Sequence, residues 1–394
     1  MKICDVTQFY SPVSGGVKRY LLEKIEYLRQ FTDHEHVLIV PGPANTTERD
    51  GRFTIHRVRA MKVSWSSHYR MVLDTQTVEN LIEQERPHLI EAGCPYQLAW
   101  SCLRVGRRIH VPVVGFYHSH FPESYVRTVT RFMGRAVADL CDSVCYGYIR
   151  RLYTRFNATF VSSPKLQTIL QGIGIENTRI IPLGVETDVF HPGRRSDAFR
   201  KQLGLGPHQL LLLFVGRLSR EKNIDCLLKA FEIIQQYTGD KFALLIVGEG
   251  AERSKVLEAA GRLKNVHSLP YEGDPQKLAA IYASADLFVH AGLCETFGLV
   301  VLESQACGVP AVAFSNSGMD LNILGGEDFL ANERGPEGLA KAVLKAYQND
   351  LPAIGRKTRE AVMSRYPWKV VFKKLVETYE QIVREFPKTV HWEY

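Results

Sequence analysis

The stretch CETFGLVVLESQACGVPAV, residues 294–312, places two carboxylates, Glu295 and Glu303, eight positions apart. Gly298 stands between them ahead of an apolar run, and Gly308 and Pro310 break the chain before a second β-rich run. This pattern predicts a loop at Glu295, a helix starting near Gly298, and Glu303 roughly two turns into it. At about 1.5 Å rise per residue, eight steps separate the carboxylates by roughly 12 Å. The helix N-terminus between them offers unsatisfied N–H groups and a positive dipole end. Such a pair suits the two ends of a sugar nucleotide, with the diphosphate between them. Paired hydrolase carboxylates face each other across roughly 5–9.5 Å, so an acid–base pair is the poorer reading.

On both sides of this stretch, apolar runs alternate with helical patterns. In the first half Ile3–Phe9, Val37–Val40, Leu89–Ala92 and Val113–Phe116 read as buried strands, and a helix runs from Val17 to about Gln30. The turn-rich stretch LGVETDVFHPGRRSD, residues 183–197, reads as a linker. The alternation then restarts with strands at Leu210–Val215, Ala243–Val247, Leu287–His290 and Ala311–Phe314. Strand–helix alternation of this kind argues for parallel sheets covered on both faces. The expectation is α/β: a domain over residues 1–187, a second over 188–367, and a C-terminal helix over 368–394 packing back toward the first.

A chain of 394 residues is long for one core. With 45% hydrophobic and 23% charged residues it has the composition of a globular protein. Its longest aliphatic run, Leu210–Val215, is far short of the roughly 20 apolar residues that span a bilayer. MKICDVTQFY lacks the apolar core of a signal peptide, so a cytoplasmic location is expected. The eight cysteines form no CxxC and read as free thiols, with Cys141 and Cys145 as small helical hydrophobes. The net charge of +7 is local: ten Lys and Arg between Arg104 and Lys165 face only Glu123, Asp139 and Asp142. Aromatic residues interleave with these arginines from Tyr125 to Phe156. The region suits an anionic membrane surface, which would make the protein peripheral on the inner face, or a plain solvated face. Nucleic acid is not expected as a partner.

Three glycine-rich turns follow buried strands. Gly216-Arg217 through Lys222 puts two cations ahead of a helix, an arrangement that a diphosphate or a solvated basic turn would both explain. Ser14-Gly15-Gly16 allows close backbone approach to a phosphate or sugar, and equally makes a tight turn without a ligand. Gly248-Glu249-Gly250 is not a dinucleotide fingerprint, because Arg253 stands where the third glycine would be. His118, with His120 two residues on, closes a strand and reads either as a substrate contact or as a packing histidine.

In this order, GGV at 15–17, VGRLSREKN at 215–223, LLIVGEG at 244–250 and ETFGLVVLESQACGVPAVA at 295–313 resemble the retaining glycosyltransferases of the GT-B fold, family 4. The last segment matches the family's E-x7-E signature. YHSHFPESY, residues 117–125, is similar to segments of members that glycosylate lipids, including mannosyl- and sulfoquinovosyltransferases. The resemblance implies two Rossmann-like domains facing across a cleft, the first on the acceptor side and the second binding the nucleotide sugar. It implies that Arg217 and Lys222 grip the donor diphosphate, that Glu303 binds the ribose and that Glu295 binds the transferred sugar. Gly216, Glu249, Phe297, Gly298 and Leu299 would complete the donor cradle. Gly15 and Gly16 would approach the diphosphate, and His118 would contact the sugar. A family turn GG-[IV]-P-[DE] is altered here to SNSGMDLNI, in which Gly318 and Asp320 fit but the proline is missing.

The resulting expectation is a retaining hexosyltransferase that moves a hexose from a UDP- or GDP-sugar to a lipid or glycan hydroxyl by front-face attack. No cofactor is expected. No Asp-x-Asp metal site stands near these motifs, so metal independence is expected as well. A sugar-nucleotide epimerase and a non-catalytic nucleotide-sugar-binding protein are the alternatives.

Overall fold

The computed structural model describes residues 1–10, 16–63, 66–118, 135–293 and 295–387. Gly15, His120, Arg127, Arg131 and Cys294 lie outside the described residues. The chain forms two compact units, Met1–Leu183 with the segment from Trp368 onward, and Gly184–Pro367. Most of the expected linker therefore belongs to the second unit, where the Val185 N–H donates to the carbonyl of Tyr366 at 2.8 Å.

In the first unit the strands are β1 (Lys2–Val6), β2 (Glu35–Gly42), β3 (Thr46–Asp50), β4 (Phe53–Arg59), β5 (Met61–Val63), β6 (Ser66–Met71), β7 (Leu89–Ala92), β8 (Val113–Tyr117), β9 (Ala158–Val161) and β10 (Thr178–Ile180). The helices are α1 (Gly16–Phe31), α2 (Thr75–Glu85), α3 (Gln97–Ile109), α4 (Arg135–Tyr153) and α5 (Pro164–Gly172). The sheet order is β10-β9-β8-β7-β1-β2-β4-β3, parallel except for the β3–β4 hairpin, while β5 and β6 pair separately. The order reverses between β1 and β7, the kind of point at which doubly wound sheets bind ligands.

The second unit contains β11 (Leu210–Val215), β12 (Phe242–Val247), β13 (Val266–Leu269), β14 (Leu287–His290), β15 (Ala311–Phe314) and β16 (Leu330–Ala331). Its helices are α6 (Asp197–Gln202), α7 (Ile224–Thr238), α8 (Arg253–Arg262), α9 (Pro275–Ser284), α10 (Leu299–Ala306), α11 (Pro336–Tyr347) and α12 (Leu351–Arg365). All six strands are parallel, in the order β13-β12-β11-β14-β15-β16. Numbered within the unit this is 3-2-1-4-5-6, the doubly wound dinucleotide-fold order. The strands LLLLFV and FALLIV are buried along almost their whole length, which is why they read as unbroken apolar runs.

The local charge excess is smaller in the folded chain than along the sequence. Arg104 and Arg108 reach back to α2, where both bind Glu79, at 2.5 and 2.8 Å, and Arg108 also binds Glu83 at 2.6 Å. Arg107 on α3 and Arg150, Arg151 and Arg155 on and just after α4 remain exposed. Among the described residues no helix is long and apolar enough to cross a membrane.

The last helix, α13 (Trp368–Glu385), packs in the first unit against α1. Beneath it lies a buried polar cluster. Lys24 on α1 is fully buried and binds Asp5 at 2.7 Å and Glu91 at 3.2 Å. Its ammonium group also donates to the Tyr379 hydroxyl at 3.0 Å, and Tyr379 in turn donates to Glu91. His36 Nε2 meets Asp5 at 2.8 Å. Burial opposes ionisation of Asp5, but Lys24 and His36 outweigh it and hold this carboxyl below its usual range. Burial foremost raises Glu91. Lys24→Met removes the cation that two buried carboxylates share. The expected loss is about 3–5 kcal/mol of unfolding free energy, read from urea denaturation; a loss below about 1 kcal/mol would mean that the cluster is not ionic.

Candidate active site

At the reversal point of the second sheet, the loop after β11 carries Gly216, Arg217 and Lys222, and the loop after β14 carries Glu295. Lys222 ends a one-turn 3-10 segment, Arg220–Lys222, and Asn223 follows at φ 56° as the cap of α7. The Asn223 amide donates to the Ala291 carbonyl at 3.3 Å, which ties the two loops together. Across them Lys222 Nζ forms an ion pair with Glu295 Oε1. Both side chains are about 17–18% exposed, so the pair is shielded yet open on one side. Arg217, in the same loop as Lys222, is exposed.

The loop after β12 locks onto the loop after β11. Gly248 has φ +153°, and a Cβ there would stand 1.9 Å from the Gly216 carbonyl oxygen; at Gly250, φ +152°, it would stand 2.3 Å from that of Leu218. Leu218 donates to the Glu249 carbonyl at 2.8 Å and accepts from the Glu252 N–H at 2.9 Å. These glycines are therefore demanded by backbone contact between two loops. The Glu249 side chain is half exposed and pairs with Arg253 at 2.8 Å, which is its only described ion pair.

The E-x7-E segment has the expected loop at Glu295 and helix start beside Gly298, but Glu303 lies nearer the start of the helix than expected. α10 begins only at Leu299, with Gly298 as its cap, so residues 295–298 are not helical. Glu303 is the fifth residue of the helix, little more than one turn in, and a uniform helical rise cannot be applied from Glu295 to Glu303. The first N–H groups of α10, which a helix cannot satisfy from within, follow directly on Phe297 and Gly298. Glu303 is 6% exposed, and one of its oxygens accepts from the Tyr282 hydroxyl at 3.0 Å.

The altered turn after the signature holds Glu295 in place. The Glu295 N–H donates to the Ser317 carbonyl at 2.8 Å, and the Gly318 N–H donates to Asp320 Oδ1 at 2.9 Å. Gly318 has φ +90°, and a Cβ there would meet the Glu295 carbonyl oxygen at 1.7 Å. Asn322 donates to the Phe297 carbonyl at 2.6 Å and accepts from Tyr366 at 3.2 Å. Tyr282, Asn322 and Tyr366 brace this site; Asn322 lies in the altered turn singled out by sequence, whereas nothing in the neighbourhoods of Tyr282 and Tyr366 marks them for it. His290, the last residue of β14, sits 3.9 Å from Glu295 Oε1 and was likewise not singled out by sequence.

Two family models match the chain, Glycosyltransferase Family 4 over residues 14–189 and Glycosyl transferases group 1 over residues 195–364. The chain is 31% identical over 345 residues to the GDP-mannose-dependent alpha-(1-6)-phosphatidylinositol dimannoside mannosyltransferase of Mycobacterium tuberculosis, covering 87% of each. It is 28% identical over 317 residues to the GDP-mannose-dependent alpha-mannosyltransferase of Corynebacterium glutamicum, covering 79% of this chain and 72% of that protein. The sucrose-phosphate synthase structure from Thermosynechococcus elongatus matches 97% of this chain and 99% of that one, with TM-score 0.78 and 20% identity. Two α/β units with parallel sheets define the chain as a GT-B protein. It belongs to glycosyltransferase family 4 and is a hexosyltransferase.

In the first unit Gly16 is the first residue of α1, and His118 directly follows β8. The His118 ring stacks on Phe116, with centroids 4.0 Å apart and planes 2° apart, and meets Tyr20 edge-on at 5.3 Å. Burial, then the charge of Lys24, pushes its pKa down to about 3. The imidazole is thus neutral at physiological pH, packed on one face and partly exposed. The unfolded chain binds a proton near pH 6.5 that the folded chain refuses, so this contribution to stability is complete above pH 6.5 and is lost as pH falls toward 3. By pH 5 the loss from His118 reaches about 2 kcal/mol. His118→Phe is expected to flatten the fall in melting temperature between pH 7 and 5; an unchanged slope would refute the shift.

Proposed function

We propose that this enzyme transfers mannose, with retention, from GDP-mannose to a hydroxyl of a lipid-borne acceptor. The observation that carries the reading is the Lys222–Glu295 pair at the reversal point of the second sheet, beside the N-terminus of α10. The names of the relatives support the donor and the lipid class of the acceptor. An incoming diphosphate competes with Glu295 for Lys222, and Arg217 and the α10 N–H groups add further positive potential. Glu295, released from Lys222, then accepts hydrogen bonds from the sugar. Glu303, oriented by Tyr282, accepts from the ribose hydroxyls.

In front-face attack the bond between the anomeric carbon and the diphosphate oxygen breaks, and the acceptor oxygen bonds the same face of that carbon. The acceptor's proton passes to the departing diphosphate oxygen. Lys222 and Arg217 stabilise the charge that develops there, which is the basis for proposing that transfer needs no metal. A neutral His118 suits a hydrogen bond to a sugar hydroxyl, because it places no positive charge near an oxocarbenium-like centre.

Calorimetry with GDP, UDP and GDP-mannose in EDTA tests the donor site. GDP is expected to bind more tightly than UDP, and Lys222→Ala and Glu303→Ala are each expected to weaken GDP binding at least 10-fold, on the order of 1.4 kcal/mol. Unchanged affinity in both variants would refute the assigned roles.

The acceptor's lipid nature implies a surface that meets a bilayer. On α4 Leu140 and Val144, one turn apart, are 66% and 65% exposed, and Arg150, Arg151 and Arg155 are also exposed farther along. We propose this face as the membrane contact. Vesicles containing anionic lipid should retain the enzyme at low salt and release it at high salt. Leu140→Asp/Val144→Asp should abolish sedimentation with them; binding indifferent to lipid charge and to this pair would refute the proposal.

A further inference from the structure

His290 is 1% exposed, and its Nδ1 accepts the Gly292 N–H at 3.0 Å. That bond makes the neutral ring the Nε2–H tautomer. Its Nε2 has no hydrogen-bond partner. A buried donor left in this condition ordinarily costs about 1–3 kcal/mol, so its persistence calls for a reason. The geometry supplies one. Nε2 stands 3.9 Å from Glu295 Oε1, just outside hydrogen-bond reach, and this is the same oxygen that Lys222 engages. Phe214 packs near the imidazole at 5.3 Å between centroids and limits where the ring can go.

We propose that His290 is a positioning residue that takes over Glu295 Oε1 when the donor diphosphate draws Lys222 away. The inference rests on the reading of Lys222 as the diphosphate grip. Two donors face one carboxylate oxygen, and only one is bonded in the free enzyme. An approach of about 1 Å completes the second bond. The exchange replaces a cation with a neutral donor. The carboxylate therefore stays oriented, and it turns to the sugar rather than to an ammonium group. Burial and the nearby Lys222 charge keep the ring in the neutral form that this role requires.

The test compares His290→Phe, which removes the donor, with His290→Gln, whose amide N–H reaches about as far as Nε2–H. In the full-length enzyme with GDP-mannose, His290→Phe is expected to lower kcat roughly 10- to 100-fold, the scale of losing an orienting partner. Its Kd for GDP should rise only a few-fold, because GDP carries the diphosphate that frees Glu295 for His290 but no sugar for Glu295 to hold. His290→Gln is expected to recover most of kcat. If His290→Phe weakens GDP binding as much as it lowers kcat and His290→Gln recovers neither, His290 is merely structural and the proposal fails. Unchanged kcat in His290→Phe also overturns it. Failure of the underlying donor reading is seen separately, as GDP affinity unaffected by Lys222→Ala in the otherwise unaltered enzyme.

Discussion

An ammonium ion and a carboxylate, Lys222 and Glu295, are held against each other where a parallel sheet reverses its strand order, and the donor site is organised around that pair. Two adjacent strands of this sheet carry no such groups along their length. β11 and β12 are aliphatic and aromatic throughout, so polar chemistry is displaced to the loops at their C-terminal ends. Every constraint found around the pair acts to fix those loops. Asn223 ties the β11 loop to the β14 loop, the glycines after β12 interlock with the β11 loop, and the Ser317–Gly318 turn supports Glu295 from below. A site preorganised in this way can exchange one charged partner for another without rebuilding its backbone.

The strands and their parallel arrangement were legible because burial on both faces writes itself into sequence as apolar runs. Leu210–Val215 and Leu287–His290 were read to the residue. The hairpin strand β3, TTERD, was not legible: it is exposed along its whole length and carries no apolar alternation. Of the candidate site, Glu295, Glu303 and Lys222 stood out by residue type and spacing. Their supports did not. Tyr282 and His290 are ordinary residues in their own segments and gain meaning only when the fold brings them beside a carboxylate. The loop at Glu295 and the helix start beside Gly298 were legible from the glycine, whereas Glu303 lies little more than one turn into the helix rather than two.

Charge shows the same limit. Linear counting finds a strongly basic region from Arg104 to Lys165, but α2 lies against α3 and contributes Glu79 and Glu83, which lie outside that window. Among the described residues, exposed basic groups remain at Arg107 on α3 and at Arg150, Arg151 and Arg155 on and just after α4, which also exposes Leu140 and Val144. A net charge is thus a property of a surface, and only the fold decides which residues share one.

The buried cluster around Lys24 has a consequence for the order in which the molecule is made. Asp5, Lys24 and Glu91 are synthesised early, yet Tyr379, which closes the cluster, belongs to the last helix. The second unit is continuous in sequence, from Gly184 to Pro367, and lies between them. At ~5–20 residues per second, a ribosome needs ~10–40 s to make it. During that interval the first unit waits with charged groups uncovered on one flank, while the unit begun later has all its segments to hand. The domain that starts the chain is the one that finishes last.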